Sequence, residues 1–140
     1  MTVTNVDDLK NAIGEGYRKG IEEYSTELIA IPYTNKGIRA LVKYDTDELT
    51  AVCPATGLPD FYHLDISYVP KEKLVELKSL KMYLMGFRNV GCLHEDLAPT
   101  IMTDLVKCID PEAILLHLVA NPRGGIGAEV TVEWPQKPTP

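Results

Sequence analysis

Apolar residues recur at three- and four-residue steps through Val6, Leu9, Ile13, Tyr17, Ile21 and Tyr24, just after the polar cluster Asn5, Asp7 and Asp8. That spacing predicts an amphipathic helix with an acidic start. Gly14, Gly16 and Gly20 fall inside it; each costs about 1 kcal/mol relative to alanine, so the helix depends on packing against another element. Ile31-Pro32-Tyr33-Thr34-Asn35-Lys36-Gly37 reads as a connector. The pattern then shortens to β-rich runs at 38–44, 48–52 and 61–69, with Asp45-Thr46-Asp47 as a hairpin turn. Pro70 closes the third run, and Leu74, Leu77, Leu80, Leu84 and Phe87 predict a helix as far as Arg88. In a second helix Asp96 is the expected cap, Pro99 lies in the first turn, Leu97, Ile101, Leu105 and Cys108 share a face, and Asp110-Pro111 ends it. Strands at 114–120 and 128–134 then flank the loop Asn121-Pro122-Arg123-Gly124-Gly125.

This order of strands, two helices and strands, without β-α alternation, predicts an α+β fold in which an antiparallel sheet carries two helices on one face. The bare face and the sheet edges predict an oligomer. The chain divides into an N-terminal helix and connector (1–37), a catalytic domain (38–134) and a C-terminal tail (135–140).

A length of 140 residues suits one domain, large enough to remove roughly two-thirds of its unfolded surface from water. Three cysteines, Cys53, Cys92 and Cys108, are an odd set without framework spacing, which suits a reducing compartment. The first eight residues have neither a basic segment nor an apolar core, and the apolar run at 113–120 is broken by His117 and too short to span a bilayer. A cytoplasmic protein without membrane contact is expected. The net charge of −6 and the lack of a Lys/Arg block argue against nucleic acid and for a small-molecule partner.

The chemistry concentrates in Val52-Cys53-Pro54-Ala55-Thr56-Gly57-Leu58-Pro59-Asp60. A thiol in turn-forming sequence, with a carboxyl seven residues on, suits a nucleophile with its own proton donor, although a buried thiol can also be inert packing. On the helix Glu76-Leu77-Lys78-Ser79-Leu80-Lys81-Met82-Tyr83, Lys78 and Lys81 share one flank and Glu76 and Tyr83 the other. This is either a solvated face or a pair of cations for an anionic cofactor beside an acceptor for a ligand. His94-Glu95 opens the second helix, where the carboxylate could accept the paired N–H groups of a guanine-like ring or simply answer the helix dipole. Arg123, beside two glycines, is a phosphate ligand or an exposed loop residue. Zinc on Cys53, Cys92 and His94 is the weaker alternative, because no CxxC or HxxxH pattern supports it, and no metal is expected. No GxGxxG or Walker loop is present, so any dinucleotide binds outside a Rossmann framework.

Taken with Ile66-Ser67-Tyr68-Val69-Pro70, Phe87-Arg88-Asn89, His94-Glu95-Asp96 and Pro122-Arg123-Gly124-Gly125, these motifs closely resemble the 7-cyano-7-deazaguanine reductase (QueF) family, in unbroken order from Leu41 to Trp134. The resemblance implies the short, single-module form of a tunnelling fold (T-fold), a homo-oligomer with active sites between neighbouring subunits, paired pentamers being one such arrangement. It also implies NADPH-dependent reduction of the nitrile of 7-cyano-7-deazaguanine to a primary amine, within queuosine biosynthesis. By the same resemblance Cys53 adds to the nitrile carbon as a thioimide and Asp60 protonates nitrogen. Val75, Glu76, Leu77, His94 and Glu95 match positions that hold the deazaguanine, and Lys78, Ser79, Lys81, Arg123 and Gly124 match the NADPH region. Met82 and Leu93 depart from the family pattern, which has Leu or Tyr and Phe there. Two other functions use the same residues differently: a QueF-like amidinotransferase, in which ammonia attacks a tRNA-borne base through the Cys53 adduct, and a non-catalytic T-fold scaffold with Cys53 merely buried.

Overall fold

A computed structural model describes residues 26–137. The helix predicted over 6–24 lies outside the described residues, as do the last three residues of the tail. Four strands, β2 (Val42–Val52), β3 (Pro59–Val69), β5 (Ala113–Arg123) and β6 (Ile126–Trp134), form an antiparallel sheet in the order β2-β3-β5-β6. Two short strands, β1 (Ala30–Pro32) and β4 (Lys73–Val75), pair antiparallel beside it. Helices α1 (Leu77–Met85) and α2 (His94–Ile109) lie on one face of the large sheet, α1 beside β2 and α2 across β5 and β6.

The two-residue period of β3 decides which face is covered. Tyr62, Leu64, Ile66 and Tyr68 are buried under the helices, as are Ile114, Leu116 and Leu118 of β5. Leu97, Ile101 and Leu105 of α2 meet them fully buried, each stabilising the fold by roughly 1.5–3 kcal/mol. On the uncovered face the alternate residues form a charged ladder. Asp65 meets Lys43 at 3.2 Å, His63 at 3.4 Å and His117 at 3.9 Å, while His117 reaches Glu129 at 3.3 Å and His63 also bonds Asp47.

Several boundaries differ from those the sequence predicts. Asp45-Thr46-Asp47 is not a turn: β2 runs through it, with a register irregularity between Thr46 and Leu49, and the reversal comes at residues 53–58. Residues 38–41 are not strand. Leu74 belongs to β4 rather than to a helix, because Glu76 caps α1 by accepting from the Lys78 and Ser79 N–H groups at 2.8 and 2.7 Å. Leu93, not Asp96, is the N-cap of α2, which places Asp96 in the first turn. The last hairpin turns on Gly124 and Gly125 alone, at φ of 56° and 79°, the left-handed region that glycine occupies without steric cost.

Candidate active site

Strand β2 ends in the loop that carries Cys53. The loop is closed by the backbone of Cys53 itself, whose N–H donates to the Leu58 carbonyl while its carbonyl accepts from the Gly57 N–H, both at 2.8 Å. The chain following α1 is stitched alongside, with the Val52 N–H bonded to the Val90 carbonyl at 2.9 Å and the Cys92 N–H to the Val52 carbonyl at 3.0 Å. Asp60, the second residue of β3, lies on the same face of its strand as Tyr62. Cys53 and Asp60 are each only 4% exposed.

One guanidinium joins them. Arg123, at the end of β5, donates from Nη1 to Cys53 Sγ at 2.9 Å, and pairs with Asp60 through Nε at 2.9 Å and Nη2 at 3.1 Å. Nη2 also bonds His94 Nε2 at 2.8 Å. A guanidinium has donors only, so Nε2 accepts, leaving Nδ1 of His94 to carry the ring proton and donate to Tyr62 Oη at 2.7 Å. The network therefore runs Tyr62, His94, Arg123, and from there to both Cys53 and Asp60. Burial, with the charge of Asp60 adding to it, pushes the Tyr62 hydroxyl well above its usual range, so it stays a neutral phenol.

The thiol of Cys53 is lowered to about 7, first by the Thr56 hydroxyl, then by the backbone N–H groups of Thr56 and Ala55, with burial opposing and Arg123 contributing least. Cys92 and Cys108 are shifted the other way by burial. Cys53 is thus the cysteine set up as a thiolate. Replacing Thr56 with valine is expected to move the pH midpoint of Cys53 alkylation by iodoacetamide upward from about 7, so reactivity at pH 7 falls several-fold. An unchanged midpoint would remove Thr56 from this role.

The sequence-predicted site residues separate into two groups. Cys53, Asp60, His94 and Arg123 come together, with exposed Glu95 next to His94 and Gly124 in the adjoining turn. The others collect at the far end of β3. There the Val75 N–H donates to Tyr68 Oη at 3.3 Å, Glu76 caps α1, and Leu77, Lys78 and Lys81 are exposed. Leu77 and Lys81 also line a cavity of about 220 Å³ between α1 and β2. Ser79 is buried, its hydroxyl accepting from the Ile29 N–H at 3.0 Å and donating to the Glu76 carbonyl at 2.8 Å. Along β3, Asp60 and Tyr68 stand eight residues apart, roughly 27 Å at the rise of an antiparallel strand.

Both ring nitrogens of His94 are engaged, and among the described residues no group of three His, Cys, Asp or Glu side chains could hold a metal. Among the described residues no helix is long and apolar enough to cross a membrane. Tyr62 and Thr56 complete the site without having been singled out in the sequence. Tyr62 stands two residues after Asp60, so the period of the strand signalled it, and Thr56 sits within the loop motif itself.

Fold and site together define an α+β protein with an activated cysteine paired to a buried carboxylate. The family model described as QueF-like protein matches residues 59–139. A NADPH-dependent 7-cyano-7-deazaguanine reductase of Bacillus cereus is 44% identical over 126 residues, covering 88% of this chain and 76% of the relative; one of Bacillus mycoides is 43% identical over the same span. The chain belongs to the QueF family of 7-cyano-7-deazaguanine reductases. The crystal structure of the archaeosine synthase QueF-Like in its apo form superposes with a TM-score of 0.66 at 22% identity, covering 70% of this chain and 96% of that one, a likeness of fold.

Proposed function

We propose that this protein reduces the nitrile of 7-cyano-7-deazaguanine to the aminomethyl group with NADPH, as a cytoplasmic enzyme of queuosine biosynthesis. The observation that carries this reading is the junction of Cys53 Sγ and the Asp60 carboxylate through one guanidinium, in a chain 44% identical to a reductase of that name. A bare nitrile is a poor hydride acceptor. Addition of the Cys53 sulfur breaks one C–N π bond and forms a C–S bond, giving a thioimide. The sulfur adds as the thiolate, and Asp60, carrying a proton taken up from solvent, gives it to nitrogen, so the addition balances. The adduct also fixes the orientation of the substrate. NADPH, when bound, would supply hydride; two equivalents and one further proton complete the four-electron reduction, with the C–S bond breaking between the two hydride transfers so that Cys53 is released as the thiolate.

His94 and Glu95 stand beside the reacting pair and suit the deazaguanine edge. Val75, Glu76 and Leu77 stand at the opposite end of β3. For both groups to serve one substrate, they come from different copies of the chain, in the manner of a T-fold homo-oligomer with sites between subunits. Lys78 and Lys81, exposed on α1, suit an anionic dinucleotide, whereas Ser79 braces the start of α1 through its internal hydrogen bonds.

Mixing the protein with the nitrile and NADPH tests this function. Loss of the reduced-nicotinamide absorbance at two equivalents per nitrile is expected. If that absorbance stays flat while a thioimide forms, the protein is not the reductase.

A further inference from the structure

The guanidinium of Arg123 stands where a reacting group has to go. For sulfur to add to a carbon whose nitrogen receives a proton from Asp60, that carbon must touch Sγ and that nitrogen must touch the Asp60 carboxylate. In the structure, Nη1 holds the first of these places at 2.9 Å from Sγ, and Nε and Nη2 hold the second at 2.9 and 3.1 Å from Asp60. Guanidinium and electrophile therefore compete for the same two contacts. Both Asp60 oxygens meanwhile accept from Arg123, so neither is free to meet the nitrile nitrogen until that pairing is broken.

The surroundings of Arg123 allow it to leave. Its side chain is 43% exposed, while Asp60 beneath it is 4% exposed, so the pair has one wet and one dry partner. The register of β5 on β6 is irregular between Ala120 and Arg123, and Pro122 in that stretch has no N–H to give the ladder. Arg123 pairs with Ile126 beyond the irregularity, next to the Gly124-Gly125 turn, where added side-chain atoms would meet nothing within 4 Å. The hairpin tip is thus weakly tied to the rest of its own sheet.

We propose that Arg123 is a gate: in the free protein it occupies the nitrile subsite, shielding the Cys53 sulfur and holding Asp60 as an acceptor, and it must swing outward before substrate can bond. This rests on the reductase reading and adds a step to it. The protein with Arg123 inward is the resting form, and the outward conformer is the one that takes substrate. Apparent affinity for the nitrile is then reduced by the fraction of molecules that are open.

The test compares wild type with Arg123→Ala and Arg123→Gln, without NADPH. Two quantities are measured: the rate of Cys53 alkylation by iodoacetamide across pH, and the equilibrium formation of the thioimide with 7-cyano-7-deazaguanine, followed by mass spectrometry. Both variants should raise the alkylation rate on its high-pH plateau by about tenfold or more, as expected when the open state is a minor conformer. Adduct formation should tighten by the same factor. On the plateau the sulfur is fully ionised, so a change in its acidity acts only through thiolate nucleophilicity, about threefold per pKa unit, and a rise of tenfold or more reports access. Unchanged or lower plateau rates and adduct affinity in both variants would overturn the gate and leave Arg123 as a residue that positions Cys53 and Asp60. If wild type forms no thioimide, the reductase reading itself fails, and the plateau rates still decide whether the sulfur is shielded. Arg123→Gln keeps a polar donor on a shorter side chain that lacks the guanidinium nitrogens reaching the sulfur, so a folding defect confined to the alanine variant leaves the comparison intact.

Discussion

Cys53→Ala is expected to leave no measurable nitrile reduction and no covalent mass shift with the nitrile. Neither remaining cysteine can stand in, since burial raises the thiol pKa of both Cys92 and Cys108. The loss is chemical rather than structural. The loop is closed by main-chain hydrogen bonds of Cys53, not by its sulfur, and removing one small buried atom costs about 1 kcal/mol. The variant should therefore fold with nearly unchanged thermal stability and still bind the deazaguanine, which isothermal titration calorimetry would show. Turnover surviving in this variant would be incompatible with a sulfur adduct.

Asp60→Asn is expected to lower kcat by about 10²-fold or more, the usual worth of a positioned proton donor. Asparagine matches the carboxylate in shape but has no acidic proton to pass to nitrogen. The stability cost is modest, because the Arg123 left behind is partly exposed and can turn to water instead of remaining as a buried unpaired charge. Thr56 and Ala55, which do most to lower the Cys53 thiol to about 7, are untouched by the change. Alkylation at neutral pH should therefore persist while turnover collapses, a combination that a general folding defect does not produce. If turnover falls by less than a few-fold, the proton reaches nitrogen by another route.

How far the sequence shows all this depends on how local each feature is. Cys53 and Asp60 flank one tight reversal, so their proximity follows from seven residues of chain. Arg123 and His94 reach the same point only through the register of β5 on β3 and the start of α2, which no short-range pattern encodes. The resemblance to the family assigns Arg123 to the cofactor region, and in the structure its guanidinium also bonds the sulfur and the acid. The polar run Asp45-Thr46-Asp47 imitates a turn because β2 has one uncovered face, where Asp47 bonds His63 and Asp45 is exposed to water. Leu74 imitates a helical residue because it stands three before Leu77, although the Glu76 cap starts the helix between them. The helices and the buried stripe of β3 were clear because long amphipathic periods tolerate a boundary error of a residue or two.

The way the Cys53 loop is closed affects how portable the nucleophile is. The shape of the loop comes from two main-chain bonds and one left-handed glycine, Gly57, so the 53–58 segment carries its backbone geometry into another antiparallel ribbon of matching reach, whereas the burial of the sulfur belongs to this fold. Arg123 and His94 would not travel with it, since a third strand and a helix supply them. A graft of this kind would inherit a reactive thiol without the guanidinium that covers it.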